Sequence, residues 1–135
     1  MKKIWIIDDD QEMVSAIRLM VKLLDCEARH FFSARPAAQA LLGGECPELI
    51  ILDMNMPEVS GLDFLEFLRR RPEFQHLPVV VLSTEAADTL VDKALATGAD
   101  AYVTKPVALD ELDRAIKIAL GAHGINYNEI SSRQI

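Results

Sequence analysis

The sequence lacks the features that mark several large classes of protein. Its two cysteines, Cys26 and Cys46, are too few for a disulfide framework and lack the paired spacing of a zinc site. No window approaches about 18 consecutive apolar residues, so neither a membrane span nor a signal peptide is predicted. Positive charge is also scarce: 14 Lys and Arg against 21 Asp and Glu give a net charge of −7, which argues against direct nucleic-acid binding. We therefore expect a cytoplasmic protein with reduced thiols.

The sequence does contain the pattern of one α/β domain. Its 135 residues are close to the size of a single domain, and 50% hydrophobic with 26% charged residues is typical of globular proteins. Short apolar, β-branched runs alternate with segments of helical periodicity, which is typical of a parallel sheet covered on both faces. Five runs and five helical segments predict a doubly wound fold. The runs are residues 4–7, 28–32, 49–52, 79–82 and 101–103.

Three of the helical segments show a clear apolar stripe. The stripes are Met13, Ile17, Met20, Val21 and Leu24 in the first helix; Ala87, Leu90, Val91, Ala94 and Leu95 in the fourth; and Leu109, Leu112, Ile116, Ala119 and Leu120 in the fifth. The second and third helices are expected over residues 33–42 and about 61–71. Because the periodicity stops after Ala122, we expect a domain over residues 1–122 and a polar tail or linker over 123–135.

Polar side chains follow four of the five runs. Asp8, Asp9 and Asp10 follow the first run, Asp53 the third, Ser83 and Thr84 the fourth, and Thr104 and Lys105 the fifth. In parallel sheets of this kind, ligands bind at the carboxyl ends of the strands. We expect acids, a hydroxyl and an amine to converge at this edge of the sheet.

This set of side chains predicts phosphoryl transfer. Clustered carboxylates repel one another unless positive charge lies among them, and hard oxygen ligands suit Mg²⁺. An ionised Asp53 can act as an oxygen nucleophile toward phosphorus and form an aspartyl phosphate. Lys105 and the metal would neutralise charge on the phosphoryl oxygens, and Ser83 could donate a hydrogen bond to one of them.

The sequence also resembles a known family, the receiver domain of bacterial two-component response regulators of the chemotaxis-regulator type. The resemblance covers about residues 2–121 and rests on IIDDD at 6–10, LDMNMPEVSG at 52–61, LPVVVLST at 77–84 and GADAYVTKP at 98–106. It implies a flavodoxin-like (βα)5 three-layer sandwich whose parallel sheet has the strand order 2-1-3-4-5.

The resemblance implies a role for each acidic residue of the site. Asp53 would be the phosphoacceptor. Mg²⁺ or Mn²⁺ would be bound by Asp9, by Asp53 and by the backbone carbonyl of Asn55, with Asp8 acting through water.

The resemblance also implies the parts of a switch. Lys105 would pair with the phosphoryl group, Ser83 would be the switch hydroxyl and Tyr102 the switch aromatic, and the bond between Lys105 and Pro106 would be cis. Thr84 is bulkier than the small residue often found at its position, and it lies beside the path of an attacking water, so it bears on the lifetime of the phosphorylated form.

Partners follow from the same resemblance. A sensor histidine kinase or a phosphotransfer protein would supply the phosphoryl group to Asp53. The switch would change the face formed by the fourth helix, fifth strand and fifth helix, which a downstream protein, an output domain or a second copy of the chain would read. Ile118, beside Ala115 and Arg114, lies off the buried stripe and is a candidate for that face.

Two other functions remain open at this point. Asp8 and Asp10 also fit the nucleophile and acid of haloacid-dehalogenase-like phosphatases, although that interpretation leaves LDMNMP without a role. A binding module that keeps the fold but is not regulated by phosphate is the second alternative. In the main interpretation the protein is not an enzyme, because it catalyses only its own phosphoryl transfer and slow dephosphorylation.

Several of these residues have simpler explanations when each is taken alone. Asp10 fits an N-cap of the first helix, and Ser83 fits a cap of the fourth. Tyr102 fits half-buried packing. The arginines at 69–71 are interpreted as a solvated cluster at a helix end. The three histidines, His30, His76 and His123, have no ligand-like spacing and are given no chemistry.

Overall fold

The computed structural model describes residues 2–56 and 58–125, and its centre is a parallel sheet of five strands. The strands are β1 (Lys2–Ile7), β2 (Cys26–Phe31), β3 (Leu49–Asp53), β4 (Val79–Ser83) and β5 (Ala101–Thr104). Their order in the sheet is β2-β1-β3-β4-β5, which confirms the predicted topology. Every residue of β3 and β4 is buried, because helices cover both faces of the sheet, and this explains their unbroken apolar sequence.

Five helices form the two outer layers of the sandwich. They are α1 (Gln11–Leu23), α2 (Ala34–Leu42), α3 (Gly61–Arg70), α4 (Asp88–Thr97) and α5 (Leu109–Ala122), with a short 3-10 helix at Pro72–Phe74. Residues of α1 and α5 share one core cluster on one face of the sheet. Residues of α2, α3 and α4 share a second cluster on the other face. The predicted three-layer α/β architecture is therefore confirmed.

Local signals in the sequence place the ends of these helices. The Asp10 carboxylate accepts hydrogen bonds from the backbone N–H groups of Glu12 and Met13, so Asp10 caps α1 as expected. Ser60 caps α3 by accepting from the N–H of Asp63 at 3.2 Å. The α3 helix ends just before Pro72, which cannot continue it.

Some predicted stripes differ from the buried faces. In α4 only Ala94 is buried, and Leu95 is 44% exposed. The reason is that α4 packs beside the edge strand β5, so the rest of the domain covers only a narrow strip of its surface. In α1 the fully buried stripe runs through Val14 in place of Met13. In α5, Ala115 is mostly buried in the core, and it also lines the surface groove beside Arg114 and Ile118.

The last described residues still contact the domain. Ile125 donates a backbone hydrogen bond to Leu120 at 2.9 Å and packs against the core cluster under α5. The rest of the expected tail, residues 126–135, lies outside the described residues. Within the described ranges, none of the helices has the length and apolar content needed to cross a membrane.

Candidate functional site

The carboxyl ends of four strands bring the expected polar residues to one edge of the sheet. Asp8 directly follows β1, Asp53 is the last residue of β3, Ser83 is the last residue of β4, and Lys105 directly follows β5. The parallel register pairs Ile7 with Leu52 and then continues across β3, β4 and β5, so these four ends are level with one another. Residues far apart in sequence therefore form one site.

Lys105 lies between two buried carboxylates. Its ammonium nitrogen Nζ is 3.2 Å from Oδ2 of Asp8 and 3.1 Å from Oδ1 of Asp53. The side chains are 12% exposed for Lys105, 1% for Asp8 and 3% for Asp53. The backbone N–H of Lys105 also donates to the carbonyl of Ser83 at 2.7 Å, and the Lys105-Pro106 peptide bond is cis.

The electrostatics of the site follow from this burial. Burial alone would lower the pKa of the Lys105 ammonium, but its hydrogen bond to Asp53 and the charges of both carboxylates outweigh burial and raise that pKa. Burial raises the pKa of the Asp8 carboxyl, and the negative charge of Asp53 adds to the effect; hydrogen bonds from Asp10 and Lys105 oppose it only in part. The site therefore favours the charged form of Lys105 and disfavours the ionised form of Asp8.

Three carboxylates are close enough to bind one cation together. Oxygen atoms of Asp8, Asp9 and Asp53 all lie within 4.8 Å of one another, and Asp9 is exposed while the other two are buried. One ammonium does not balance three carboxylates, so the site has an excess of negative charge. Oxygen ligands with such an excess are the donor set that Mg²⁺ prefers, so the residues fit the expected metal.

Asn55 lies next to this group of oxygens. Its backbone N–H donates to Oδ1 of Asp53 at 3.3 Å, and the residue itself is exposed. This bond holds the start of the loop after β3 against the carboxylate of Asp53.

Ser83 and Tyr102 both form hydrogen bonds to the backbone of Glu85, in the loop between β4 and α4. The buried Ser83 hydroxyl oxygen accepts from the N–H of Glu85 at 3.1 Å. The Tyr102 hydroxyl donates to the carbonyl of Glu85 at 2.7 Å. Because α4 begins at Asp88, Ser83 does not cap that helix. Thr84, between Ser83 and Glu85, is exposed.

Gly61 is a requirement of the site that sequence reasoning missed. At the start of α3, a Cβ atom on Gly61 would overlap the carbonyl oxygen of Asp53 and would lie 2.8 Å from the Cα of Met54. Only glycine allows the helix to approach the end of β3 this closely. Its position at the end of LDMNMPEVSG was the available signal, but spacing alone does not reveal a contact between backbones.

The arginine cluster also differs from its sequence interpretation. Arg70 is solvated as expected, with 81% of its side chain exposed, but Arg69 is 15% exposed and is hydrogen-bonded throughout. Arg69 therefore has a structural role. Arg71 is intermediate, because it pairs with Glu73 at 3.0 Å and lies over the rings of Phe67 and Phe74.

Replacing Asp8 with asparagine is expected to stabilise the metal-free protein and to raise its Tm by a few degrees at pH 7. The raised pKa of Asp8 means that its ionised form is disfavoured in the fold, so the neutral amide relieves strain. As pH falls through that raised pKa the wild-type carboxyl becomes protonated, and the difference in Tm should shrink. Thermal melts of both proteins in EDTA at several pH values measure this; a lower Tm for Asp8→Asn at pH 7 contradicts it.

Comparison with known proteins agrees with this geometry. Residues 4–117 match the family model described as "Response regulator receiver domain". The chain belongs to this family. This receiver domain is 37% identical over 123 residues to the transcriptional regulatory protein BasR of Escherichia coli, covering 90% of this chain and 53% of BasR. It is 29% identical over 122 residues to the polar-differentiation response regulator DivK of Brucella ovis, covering 89% of this chain and 97% of DivK.

The fold of the receiver domain matches solved structures as well. Chemotaxis protein CheY4 of Vibrio cholerae superposes with a TM-score of 0.80 at 24% identity, covering 89% of this chain and 99% of CheY4. The chain spans about half the length of several curated relatives, BasR among them. Members of this family are two-component response regulators, and phosphorylation on an aspartate is general among them.

Proposed function

We propose that the protein is a cytoplasmic switch in which Asp53 accepts a phosphoryl group from the phosphohistidine of a sensor histidine kinase or a phosphotransfer protein. An oxygen of the Asp53 carboxylate forms a bond to phosphorus while the bond from phosphorus to the histidine nitrogen breaks. The nitrogen keeps the electron pair, and the product is an aspartyl phosphate. The observation that carries this proposal is the Lys105 ammonium, held at 3.1 Å from Asp53 and 3.2 Å from Asp8 at the strand edge.

Different residues of the site would have different roles in the phosphoryl transfer. Lys105 is placed to bind a phosphoryl oxygen and to offset its charge. Ser83, the last residue of β4, would present its hydroxyl at the same edge of the sheet. Asp9, Asp53 and the backbone carbonyl of Asn55 would hold Mg²⁺ or Mn²⁺, with Asp8 acting through water. The ion would supply further charge neutralisation. Positioning and charge neutralisation are what phosphoryl transfer chiefly requires.

Phosphorylation would then act on the loop before α4. The phosphoryl group adds nearly two negative charges and three strong acceptor oxygens. The Ser83 hydroxyl oxygen accepts from the N–H of Glu85, and its proton would be donated to one of the phosphoryl oxygens. The movement of Oγ toward the phosphoryl group would then stretch its bond to Glu85, one of the two bonds that hold this residue. The bond from Tyr102 to Glu85 makes the aromatic ring follow the loop.

The readout surface in this proposal is the face of α4, β5 and α5. A groove of about 430 Å³ runs along it and is lined by Tyr102, Arg114 and Ile118 among others. Leu95 and Ile118 are 44% and 51% exposed on this face, so a partner would find apolar contacts there. The partner is a downstream protein or an output domain that follows the proposed receiver region, residues 1–122, through the linker at 123–135; a homodimer would use the same face.

The two alternatives are less well supported. In a haloacid-dehalogenase-like phosphatase Asp10 would act on the substrate, but its carboxylate is occupied as the cap of α1. A binding module without phosphate control would have no need for Lys105 between two buried carboxylates. We therefore propose no turnover of a separate substrate.

The test is the intact mass of the protein after incubation with acetyl phosphate and Mg²⁺. The wild type should gain the mass of one phosphoryl group, and Asp53→Asn should not; the exposed Asp92→Asn is the matched control and should behave as the wild type. EDTA should prevent the gain. A mass gain that survives in Asp53→Asn but is lost in Asp8→Asn would overturn the proposal in favour of the phosphatase.

Thr84→Ala is expected to shorten the lifetime of the phosphorylated form by roughly 2- to 10-fold, because the smaller side chain opens the path of an attacking water. The lifetime is measured as the decay of phosphoryl mass after acetyl phosphate has been removed. Thr89→Ala is the control, because Thr89 is also an exposed threonine but lies in α4 and not in the loop before it; this variant should leave the decay unchanged. An equal or slower decay for Thr84→Ala contradicts the expectation.

A further inference from the structure

Arg69 makes hydrogen bonds to two loops at the end of the domain opposite the site. Its Nε donates to the carbonyl of Gly98 at 3.0 Å, and one terminal nitrogen donates to the carbonyls of Phe74 and Gln75 at 3.1 and 3.2 Å. The other terminal nitrogen is 3.1 Å from Oδ2 of Asp100. The guanidinium therefore joins the end of α3 to the chain after the 3-10 helix and to the loop between α4 and β5.

Asp100 connects Arg69 to two further elements, the start of β4 and the end of α5. Its Oδ2 also accepts from the backbone N–H of Val79, the first residue of β4, at 2.8 Å, and lies 2.9 Å from Nε2 of His123 at the end of α5. We name Arg69, Asp100 and His123 the clamp. Burial lowers the pKa of the Arg69 guanidinium and Asp100 opposes that change, so the charged form is held by its partner.

The clamp fixes only one end of α4. At Gly98, φ is 123°, and a Cβ atom there would lie 2.5 Å from Cγ of Arg69, so the C-terminal end of α4 is packed directly on that side chain. The N-terminal end is different: Ala87 makes no side-chain capping hydrogen bond. Ala94, the single buried residue of α4, lies in its second half. One end of this helix is therefore anchored and the other is weakly held.

We propose that Arg69 is a positioning residue that anchors the C-terminal end of α4, so that the switch moves the N-terminal end of this helix about Gly98. This inference rests on the proposed function for the signal itself. The signal enters at Glu85, three residues before α4, because Ser83 and Tyr102 bind the N–H and the carbonyl of that residue. A fixed far end converts a displacement of this loop into a tilt of α4, which changes the groove between α4 and α5.

The test is amide hydrogen exchange with and without beryllofluoride and Mg²⁺, comparing Arg69→Gln with Arg70→Gln. Arg70 is the matched control because it is the adjacent arginine, its side chain is 81% exposed, and its ion pair with Glu66 is long, at 3.7 Å. Without beryllofluoride, Arg69→Gln should raise exchange in residues 94–101 at least about tenfold, since locally lost bonds lower the local opening free energy. Exchange in 49–53, at the centre of the sheet, should stay unchanged, which separates this effect from general destabilisation.

Beryllofluoride tests the tilt. In the wild type it should change exchange in residues 84–91 and leave 94–101 unchanged, whereas in Arg69→Gln the change should extend through 94–101. Exchange in 94–101 within about twofold of Arg70→Gln, or a wild-type change as large in 94–101 as in 84–91, overturns the inference.

A second variant and a separate readout keep the outcome clear. If Arg69→Gln does not fold, Asp100→Asn replaces it, because asparagine keeps an acceptor for the N–H of Val79 but removes the charge facing Arg69. This variant should show the same rise in exchange in residues 94–101, to a smaller degree. No rise in those residues would overturn the proposed anchoring role of Arg69. Phosphoryl mass gained from acetyl phosphate should be equal in the wild type and both arginine variants. A wild type that gains no mass refutes the proposed function, while the rise in 94–101 without beryllofluoride still measures the anchor.

Discussion

Gly61→Ala should destabilise the domain by about 3 kcal/mol, at the upper end of what an added methyl group costs in a packed core. The added Cβ would overlap the Asp53 carbonyl oxygen and lie 2.8 Å from the Cα of Met54, and neither backbone atom can rotate away as a side chain does. Either α3 or the end of β3 must move. Because Asp53 is the last residue of β3, phosphorylation of this variant should also slow.

Urea unfolding measures the first effect, and Gly121→Ala is its control. Gly121 lies in α5, and among the described residues no atom of another element lies within 4 Å of the position that its Cβ would occupy. Alanine there should therefore stabilise the protein by roughly 0.5–1 kcal/mol. The two substitutions make the same chemical change in opposite structural settings. Equal free energies of unfolding for Gly61→Ala and the wild type would refute the close approach.

Lys105→Met should destabilise the metal-free protein by about 3 kcal/mol, because it leaves Asp8 and Asp53 buried without their shared cation. The raised pKa of Lys105 gives the sign of the pH dependence. Its stabilising contribution is fully present below the unfolded-state lysine pKa of about 10.4 and is lost as pH rises through the higher folded-state value. The difference between the two proteins should therefore hold at neutral pH and shrink in strong alkali. It should also shrink in acid, where the Asp8 carboxyl, whose pKa is raised, becomes protonated.

Lys117→Met is the control for this charge effect. Lys117 forms a surface pair with Asp113 at 3.1 Å, four residues away in α5, and its loss should cost about 0.5 kcal/mol or less. Mg²⁺ should stabilise Lys105→Met more than it stabilises the wild type, because the carboxylates then have no other cation near them. Urea unfolding with Mg²⁺ and with EDTA measures both effects; equal losses for Lys105→Met and Lys117→Met would count against the account.

The sequence was sufficient to place the sheet and its polar edge. Unbroken apolar runs such as residues 49–52 are typical of strands buried on both faces, and in a parallel sheet the residue that follows each run lies at the carboxyl edge. The convergence of Asp8, Asp53, Ser83 and Lys105 is a consequence of that parallel register. Asp10 was also predictable, because an aspartate directly before a helix has a strong local preference for the cap.

Tertiary contacts decide what the sequence could not reveal. Arg69 and Arg70 are identical in type and adjacent, yet one is held by four acceptors from other parts of the chain and the other is solvated. Periodicity also overestimated the buried stripe of α4, because it reports which residues share a face and not how wide a surface covers that face. The need for Gly61 arises from a backbone contact that no local pattern encodes.

Glu85 connects β4 and β5 to the loop before α4. Ser83 and Tyr102 lie on neighbouring strands, and both form hydrogen bonds to Glu85. In the proposed function, this residue would couple a change at the phosphoryl site to a change at the aromatic ring. The weakly held start of α4 is the element that such a change can displace. The two states would then differ in the groove beside Leu95 and Ile118.

The most direct measurement of the central claim is the identity of the residue that carries the phosphoryl group. The protein is treated with acetyl phosphate and Mg²⁺, the acyl phosphate is reduced with borohydride, and the modified residue is located by peptide mass spectrometry. The account predicts that Asp53 is converted to homoserine, that EDTA abolishes the conversion, and that Asp8, Asp9 and Asp10 stay unmodified. Conversion at any of those three aspartates, or none at Asp53 in the presence of Mg²⁺, would contradict it.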